Sequence, residues 1–385
     1  MTPSPYERAF ADWLGAARAF AFWKGRVALY AILRALGVGE GDEVIVPGYT
    51  CVMNVNPIVY LGARPIYVDI EPVTYNIRAD LIEQHLSART RAIICQHTYG
   101  YPADLDGILA VARRHDLPVI EDCCLSLGSR YRGQLVGTFG RAAYFSFQWN
   151  KPYTTGLGGM AVTSDAALAE RIAELCRRER IGPSTRETLL LSAQLAAYRT
   201  LIYPRTTALA QNVFRWLTRR GLVVGSSETA EFRPRMAADF FKGMGTVQER
   251  AGQRQLRKLE RAIAHRRHMQ RIYDELLAER GWPIKPPPDG MEPVLVRYPV
   301  RVADKWKALS TAASHFVELG SWFECPLHPI ETPLEAYSYE PGMCPTAERA
   351  CREVVNLPTH PRADAATAQR SVAFVASIGL VPADQ

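Results

Sequence analysis

Short apolar runs rich in β-branched residues alternate with segments of helical spacing through the first half of the sequence. Such runs occur at residues 43–47, 65–70, 91–95, 117–122, 142–147 and 159–164. Between them, residues 28–36 (ALYAILRAL) carry apolar side chains at helical intervals. Strands that alternate with helices form crossover units and a mostly parallel sheet covered by helices on both faces. The sequence therefore predicts an α/β fold.

Strand signals become sparse beyond residue 164, and a different organisation is expected there. Helices are predicted at 165–180, at 248–277 and near 364–378, and a strand is predicted at 294–302. We therefore expect two domains. A large domain occupies residues 1–240, and a long helix with a smaller C-terminal α+β domain occupies residues 241–385.

Composition excludes several classes of protein. The net charge of +7 on 385 residues is what a solvated basic surface gives. The eight cysteines contain no CxxC pair, so neither a zinc site nor a disulfide framework is expected. The N-terminal residues mix acids and bases, unlike a secretory signal, and no run of about 18 apolar residues suggests a membrane-spanning helix. We expect a cytoplasmic protein with reduced thiols.

Polar residues follow several of the predicted strands. Ligands of open α/β sheets bind beyond the carboxyl ends of the strands, so these residues are the candidates for a site. They are Tyr49, Thr50, Asp69, His97, Glu121, Asp122 and Lys151.

Lys151 lies in the stretch FSFQWNKPYTTGLGG, between an apolar run and a cluster of threonines and glycines. A lysine in a partly desolvated pocket loses its proton more readily and forms an imine with an aldehyde. The glycines allow close backbone approach to a ligand, and hydroxyl groups with backbone amides suit a phosphate. The alternative is an ordinary solvated surface charge.

Asp122 ends the run VIED at the same predicted edge of the sheet. Such a carboxylate either caps local backbone groups or holds a pyridine nitrogen protonated, which turns the ring into an electron sink. Together, Lys151, Asp122 and the hydroxyl–glycine patch form a set that suits pyridoxal 5′-phosphate.

Motifs in the same order and spacing identify a family resemblance that covers most of the chain outside about 181–240. They lie at residues 28–50, 62–77, 97–106, 117–162, 247–260, 326–329 (PLHP) and 356–361 (NLPTHP). In these motifs the sequence resembles the sugar aminotransferases of the DegT/DnrJ/EryC1/StrS family. The resemblance implies the fold-type-I aspartate aminotransferase fold and a homodimer with active sites at the subunit interface.

The resemblance also implies roles for individual residues. Lys151 matches the Schiff-base lysine, and Asp122 matches the partner of the pyridinium nitrogen. Further cofactor contacts are implied at Gly25, Arg26, Thr50, Cys51, Leu125 and Ser146. Substrate contacts are implied at Tyr49, His97 and His328, although His97 has the alternative role of a strand cap.

The sequence departs from the family pattern at several of these positions. Cys123-Cys124-Leu125 stands where Ala-Ala-Gln is usual, so the glutamine at the ring hydroxyl is absent. Lys24-Gly25-Arg26 replaces Ser-Gly-Thr, and we expect Arg26 to bind the phosphate in place of the hydroxyl. Cys51 replaces a frequent aromatic residue, and Lys242 aligns weakly with the asparagine that the partner subunit sends to the phosphate. The adjacent cysteines are either a redox pair or small buried residues.

Residues 184–235 form a basic insert where the family has a short connection. It contains eight arginines and three acids, interleaved with apolar and aromatic residues. Three interpretations remain open: the insert covers its own active site, extends the dimer interface, or lies on an anionic membrane surface. No nucleic-acid partner is expected, because no stacking platform or recognition module is evident.

The resemblance implies an aminotransferase that moves an amino group from an amino acid such as glutamate to a nucleotide-linked or lipid-linked keto sugar. Family members that dehydrate their substrates replace the lysine, so the presence of Lys151 favours transamination. Two alternatives remain: other pyridoxal-phosphate chemistry, such as decarboxylation or C–C bond formation on a non-sugar, and a non-catalytic, membrane-associated member.

Overall fold

The computed structural model of the protein describes residues 2–149, 151–201, 232, 234–284, 286–330 and 334–381. The strands of this part are β1 (Arg18–Phe22), β2 (Glu43–Pro47), β3 (Thr50–Cys51), β4 (Arg64–Val68), β5 (Thr90–Gln96), β6 (Val119–Asp122), β7 (Arg130–Tyr131), β8 (Gln134–Leu135), β9 (Ala142–Ser146), β10 (Gly159–Thr163), β11 (Met291–Glu292), β12 (Arg297–Arg301), β13 (Leu327–His328) and β14 (Val354–Pro358). The α-helices are α1 (Pro5–Leu14), α2 (Gly25–Ala35), α3 (Val52–Tyr60), α4 (Ala79–Ile82), α5 (Leu105–Arg114), α6 (Ala166–Glu179), α7 (Thr185–Leu201), α8 (Thr246–Leu256), α9 (Leu259–Ala278), α10 (Lys305–Ala312), α11 (Pro345–Glu353) and α12 (Ala365–Ile378).

A seven-stranded sheet forms the centre of the protein, in the order β1-β10-β9-β6-β5-β2-β4. The strands from β4 to β9 pair in parallel, and β10 and β1 are antiparallel to their neighbours. The predicted mostly parallel sheet is therefore confirmed. The carboxyl ends of the parallel strands meet at one edge, which is where the candidate residues of the sequence lie.

Both faces of the sheet are buried. Within β2, Val44 and Val46 contribute to one hydrophobic core, with α2, α3 and α6, while Ile45 contributes to the other, with α1 and α5. This alternation follows from the period of two along a strand. Because both faces are apolar, strands read as continuous hydrophobic runs, and each fully buried aliphatic side chain stabilises the fold by about 1.5–3 kcal/mol.

A smaller C-terminal unit is built on the antiparallel pair of β12 and β14. Its core includes Met269, Tyr273 and Leu277 of α9, whereas Leu259 and Ile263 of the same helix belong to a core of the large sheet. Helix α9 thus joins the two units. The domain division at residues 240 and 241 stays a prediction.

The prediction of a single helix at 248–277 is wrong in detail, because α8 and α9 are separate helices. Lys258 has φ −107° and ψ 2°, outside the helical region. Arginine and lysine are good helix formers, so no residue type at 257–258 indicates a break in the helix. The N-terminal helix α1 was also missed, although Ser4 and Glu7 form a capping box at its start.

Helix α7 makes up most of the described part of the basic insert; residues 202–231 and 233 lie outside the described residues. Leu191 and Leu195 of α7 are buried against Trp23, Leu157 and Ala251, so this helix packs on the body of the protein. Among the helices that are described, none is long and apolar enough to cross a bilayer.

Candidate active site

Asp122 is the last residue of β6, and its carboxylate is buried at the carboxyl edge of the sheet. Its Oδ2 accepts a 2.5 Å hydrogen bond from Nδ2 of Asn54, and its Oδ1 accepts a 2.9 Å bond from the backbone N–H of Cys124. A carboxylate offers about four lone-pair sites, so these two bonds leave acceptor capacity for a ligand.

A buried polar network holds Asn54 in place. The Thr50 hydroxyl donates to Oε1 of Gln96 at 2.6 Å, and Asn54 donates to Thr50 at 2.9 Å. Gln96 ends β5, beside Asp122 in the sheet register, and donates to the Tyr49 carbonyl at 2.9 Å. Thr50 is therefore linked to Asp122 through Asn54, and its contact with the cofactor stays a prediction.

Lys151 lies on the loop between β9 and β10 and is half-buried. Its backbone N–H donates to the Gln148 carbonyl at 3.0 Å. Its Nζ lies 5.1 Å from the centroid of the Trp322 ring, within the range of a cation–π contact. An amine against an aromatic face is partly screened from water.

The thiols of Cys51 and Cys124 each lie within electrostatic reach of both Lys151 and Asp122. Burial raises the pKa of both thiols; the Lys151 ammonium opposes the increase and the Asp122 carboxylate adds to it. The guanidinium of Arg26 also opposes the increase at Cys51. The fold thus brings Arg26, Asp122 and Lys151 around Cys51.

A cradle of backbone lies at the start of α2. Gly25 is the first residue of this helix, and a Cβ at Gly25 would lie only 2.9 Å from Cβ of Ser146 at the end of β9. A Cβ at Gly159 would lie 2.4 Å from the carbonyl oxygen of Lys24, so glycine is required at both positions. The amides at a helix N-terminus attract anions, and the Ser146 hydroxyl lies beside them.

His328 of the C-terminal unit lies beside Cys51. Strand β13 pairs in parallel with β3, which places His328 opposite Cys51. Burial lowers the pKa of His328 to about 4; the Glu324 carboxylate opposes this, and the ammonium groups of Lys305 and Lys151 contribute to it. His328 is therefore a neutral imidazole at pH 7.

Tyr49 is buried and supports the segment that carries Trp322. Its hydroxyl lies 2.7 Å from the hydroxyl of Tyr99 and accepts a 3.2 Å bond from the Phe323 N–H. Burial raises the pKa of Tyr49 well above its ordinary value. Tyr49 is thus a neutral side chain whose hydrogen bond to Phe323 holds the Trp322 segment next to the site.

His97 is not brought to the site. Its Nδ1 accepts a 3.0 Å bond from the Ala103 N–H, so its Nε2 carries the proton and donates to Glu121 at 3.1 Å. The Glu121 carboxylate also accepts bonds from the N–H groups of Gly137, Phe139 and Gly140. Both ring nitrogens of His97 are engaged within the protein, which agrees with the structural alternative.

The adjacent cysteines do not face each other. Cys123 belongs to one hydrophobic core and Cys124 to the other, on opposite faces of the sheet. Burial raises the pKa of each thiol well above its ordinary value. These are the properties of small buried residues, and Leu125 is likewise a buried apolar side chain.

Lys242 has two carboxylate partners in its own chain. Its Nζ lies 2.6 Å from Oε1 of Glu187 on α7 and 2.7 Å from Oδ2 of Asp239, and it also lies over the Trp23 ring. Lys242 therefore ties the insert to the segment that leads into α2. Its role as a phosphate ligand stays a prediction.

Three residues near the site were not predicted as site residues from the sequence: Asn54, Trp322 and Arg297. Asn54 had a local signal, because it follows Thr50 by four residues at the start of a helix. Trp322 lies shortly before the PLHP motif, which was a weaker signal. Arg297 lies in a predicted strand, and no local sequence signal marked it as a site residue.

Comparisons with known proteins point to one family. The model of the DegT/DnrJ/EryC1/StrS aminotransferase family matches residues 3–188 and 211–376, leaving part of the insert unmatched. GDP-perosamine synthase of Caulobacter vibrioides is 45% identical over 181 residues, which are 47% of this chain and 48% of that protein. L-glutamine:scyllo-inosose aminotransferase of Streptomyces griseus is 43% identical over 187 residues, 46% of this chain and 44% of that protein.

Among solved structures, that of S. venezuelae DesV in complex with a ketimine intermediate superposes with a TM-score of 0.74 at 26% identity. The superposition covers 98% of this chain and 89% of DesV. The alignments with the curated relatives are shorter. In these alignments the chain spans about half the length of each relative that it matches. The family model covers most of the sequence, and the chain belongs to the DegT/DnrJ/EryC1/StrS aminotransferase family.

Proposed function

We propose that this protein is a pyridoxal-phosphate-dependent aminotransferase that transfers an amino group from an amino acid, such as glutamate, to a keto sugar. The observation that carries the proposal is the convergence of Lys151, Asp122 and Arg26 around Cys51, beside the cradle of Gly25 and Ser146. Family membership supports the same reaction.

The residues of the site fit the cofactor. Lys151 would hold its aldehyde, and Asp122 would hold its ring nitrogen with the acceptor capacity left by Asn54 and Cys124. Gly25 and Ser146 would bind its phosphate in the cradle, with Arg26 in place of the family's hydroxyl. When bound, pyridoxal phosphate supplies an electron sink for the pair left on the amino-bearing carbon after deprotonation.

The chain's own residues then handle protons and orientation. Lys151, as an amine, takes the proton from the amino-bearing carbon of the donor and returns one to the carbon that becomes aminated. Asp122 keeps the ring nitrogen protonated. His328 is neutral, so it serves as a hydrogen-bonding group on the substrate side rather than as a fixed charge.

The relatives support a carbonyl acceptor on a sugar or a related ring. One is named for a GDP-linked product and another for scyllo-inosose. We therefore propose a nucleotide-linked keto sugar, with a lipid-linked one as the alternative. Decarboxylation or C–C bond formation on a non-sugar is distinguished by product analysis.

The first test is to add pyridoxal phosphate to the purified protein, reduce it with borohydride and map the modified peptide. We expect the protein to turn yellow with the cofactor and to lose this colour on reduction, with the adduct on Lys151. We also expect amine formation from a GDP-linked keto sugar or scyllo-inosose with glutamate or glutamine as donor. Lys151→Ala should lose both the adduct and turnover, whereas Lys307→Ala, at an exposed position, should keep them. A Lys151→Ala variant that turns over, or a wild type that takes up no cofactor, would contradict the proposal.

We also propose a cytoplasmic homodimer with sites at the subunit interface, as the family resemblance implies. Sedimentation of the holoenzyme tests the dimer, and a monomer at micromolar concentration would argue against it.

The basic insert supports a further peripheral contact with anionic membranes. Sedimentation with phosphatidylserine vesicles, with and without residues 184–235, tests it, and equal binding of the two forms would exclude it.

A further inference from the structure

Arg297 lies close to Lys151 but on a different unit of the fold. It is the first residue of β12, and its guanidinium carbon lies 4.6 Å from the centroid of the Trp322 ring. Nζ of Lys151 lies 5.1 Å from the same centroid. Since both cations contact one indole ring, Nζ of Lys151 and the guanidinium carbon of Arg297 lie less than 10 Å apart, a gap that a bound amino acid can bridge.

The guanidinium of Arg297 has no anionic partner among the described residues. It forms no ion pair within 4.0 Å in that part of the chain, and its buried Nε has no hydrogen-bond partner there. The acid that acts on it electrostatically, Glu318, is already paired with His360 at 3.0 Å. Burial lowers the pKa of Arg297, which reflects the cost of a desolvated charge.

The neighbouring buried arginine shows the contrast. Arg266 donates to the Val296 carbonyl at 2.9 Å and to the Thr359 hydroxyl at 2.7 Å. Burial, followed by the charge of Arg297, lowers the pKa of Arg266 to about 10. Arg266 thus has neutral acceptors for Nη1, although its Nε, like that of Arg297, has no hydrogen-bond partner among the described residues. The two nearby cations leave a local excess of positive charge that an anion would neutralise.

The position of Arg297 is built into the fold. A Cβ at Gly320 would lie 2.5 Å from Nη1 of Arg297, so the missing side chain at residue 320 makes room for the guanidinium. Gly320 is fixed by two backbone hydrogen bonds with Asn356, of 2.8 and 2.9 Å. The Asn356 side chain also donates to the Trp322 carbonyl at 3.0 Å. Arginine, glycine and tryptophan are therefore held as one unit.

We propose that Arg297 binds the α-carboxylate of the amino donor; this rests on the proposed function. The planar guanidinium matches a carboxylate in bidentate geometry. In an amino acid this group is attached to the carbon from which Lys151 removes the proton, so it must lie close to both cations. The phosphate of a nucleotide-linked acceptor is separated from the reacting carbonyl by the sugar ring and lies farther away.

The donor half-reaction of the holoenzyme tests the proposal. L-glutamate is mixed alone with wild type, Arg297→Lys and Arg297→Gln, and the cofactor absorbance is followed at increasing glutamate concentration. For Arg297→Gln we expect an apparent dissociation constant about 10- to 100-fold higher, the usual size of a lost charge-assisted pair. The dissociation constant of Arg297→Lys should lie between those of wild type and Arg297→Gln, because lysine keeps the positive charge but loses the bidentate geometry of the guanidinium. The control Arg267→Ala, at a half-buried residue paired with Glu292, should match wild type.

Two further readouts exclude a merely structural effect. Calorimetric titration with glutarate, which has no amine to react, should show the same loss of affinity in Arg297→Gln, while cofactor uptake stays unchanged. With 4-aminobutyrate, which has no α-carboxylate, wild type and Arg297→Gln should react alike.

Each other outcome overturns the proposal. Equal glutamate affinity in wild type and Arg297→Gln would show that Arg297 does not bind the donor. A change only in the acceptor's KM would assign the guanidinium to the acceptor phosphate instead. A wild-type holoenzyme that reacts with no amino donor would overturn the proposed function itself, and the role of Arg297 with it.

Discussion

Asn54 donates a 2.5 Å hydrogen bond to Asp122, the residue at the end of β6 that faces the candidate cofactor site. Asn54 is itself held by Thr50 and Gln96, at 2.9 and 3.2 Å. The carboxylate is thus oriented by neutral donors rather than by a cation. Such a donor fixes the direction of the carboxylate without neutralising the charge that a protonated ring nitrogen needs.

Replacing Asn54 should weaken binding of the cofactor. In Asn54→Ala, the Asp122 carboxylate loses its oriented donor, and we expect about a 10-fold increase in the dissociation constant of pyridoxal phosphate. Spectrophotometric titration of the apoprotein measures it. Thr50→Val is the matched control, because it removes a hydroxyl of the same network that does not contact Asp122, and its effect should be smaller. Equal affinity of wild type and Asn54→Ala would show that Asp122 needs no such partner.

The sheet and its catalytic edge could be predicted because their signals are local. A parallel strand buried on both faces reads as a continuous apolar run, and the residue after it lies at the ligand-binding edge. Asp122 and Lys151 are found in this way. The sequence spacing also places Gly25 at a helix start, where an anion binds.

Other parts of the site depend on tertiary pairing, which no local pattern reveals. Trp322 and Arg297 reach Lys151 only because β13 pairs with β3 and β12 with β14. In the sequence, Lys151 is more than a hundred positions away from both Trp322 and Arg297. The two alternatives for His97 could not be separated in the sequence for the same reason, since its partner Glu121 lies in another strand.

Helix α7 should stabilise the protein through its inner face. Leu191 is 1% exposed, and a Cβ at Gly156 would lie 2.7 Å from its Cδ1, so it packs directly on the loop that carries Lys151. Leu191→Ala should lower the free energy of unfolding by about 2–4 kcal/mol, through lost burial and a cavity. Urea denaturation measures it.

Leu189 provides the control on the same helix, because it is 66% exposed. Leu189→Ala should change the free energy of unfolding by no more than about 0.5 kcal/mol. An equal loss in both variants would show that the inner face of α7 does not pack as described.

His97 should contribute to stability and not to substrate binding. In His97→Gln, the buried Glu121 carboxylate loses a well-aligned donor, and we expect a loss of about 1–3 kcal/mol in the free energy of unfolding. The KM values for both substrates should stay at the wild-type level. Thermal unfolding and steady-state kinetics on one preparation separate the two effects. A raised KM with unchanged stability would restore His97 as a substrate ligand.

His328 should make the stability of the protein depend on pH. Burial lowers its pKa to about 4 in the folded chain, whereas an unfolded histidine titrates near 6.5. Between these values the unfolded chain binds a proton that the folded chain does not. The contribution of His328 is therefore fully present above about pH 6.5 and is lost as the pH falls towards 4.

His328→Asn should remove this part of the pH dependence. From pH 7 to pH 5, wild type should lose roughly 1–2 kcal/mol more of its free energy of unfolding than the variant, because only wild type has the buried imidazole that must remain neutral. Urea denaturation of both proteins at the two pH values measures the difference. His268→Asn, at an exposed residue, is the control and should keep the wild-type slope. If His328→Asn kept that slope as well, His328 would be able to take up a proton in the folded chain, and a charged role towards the substrate would follow.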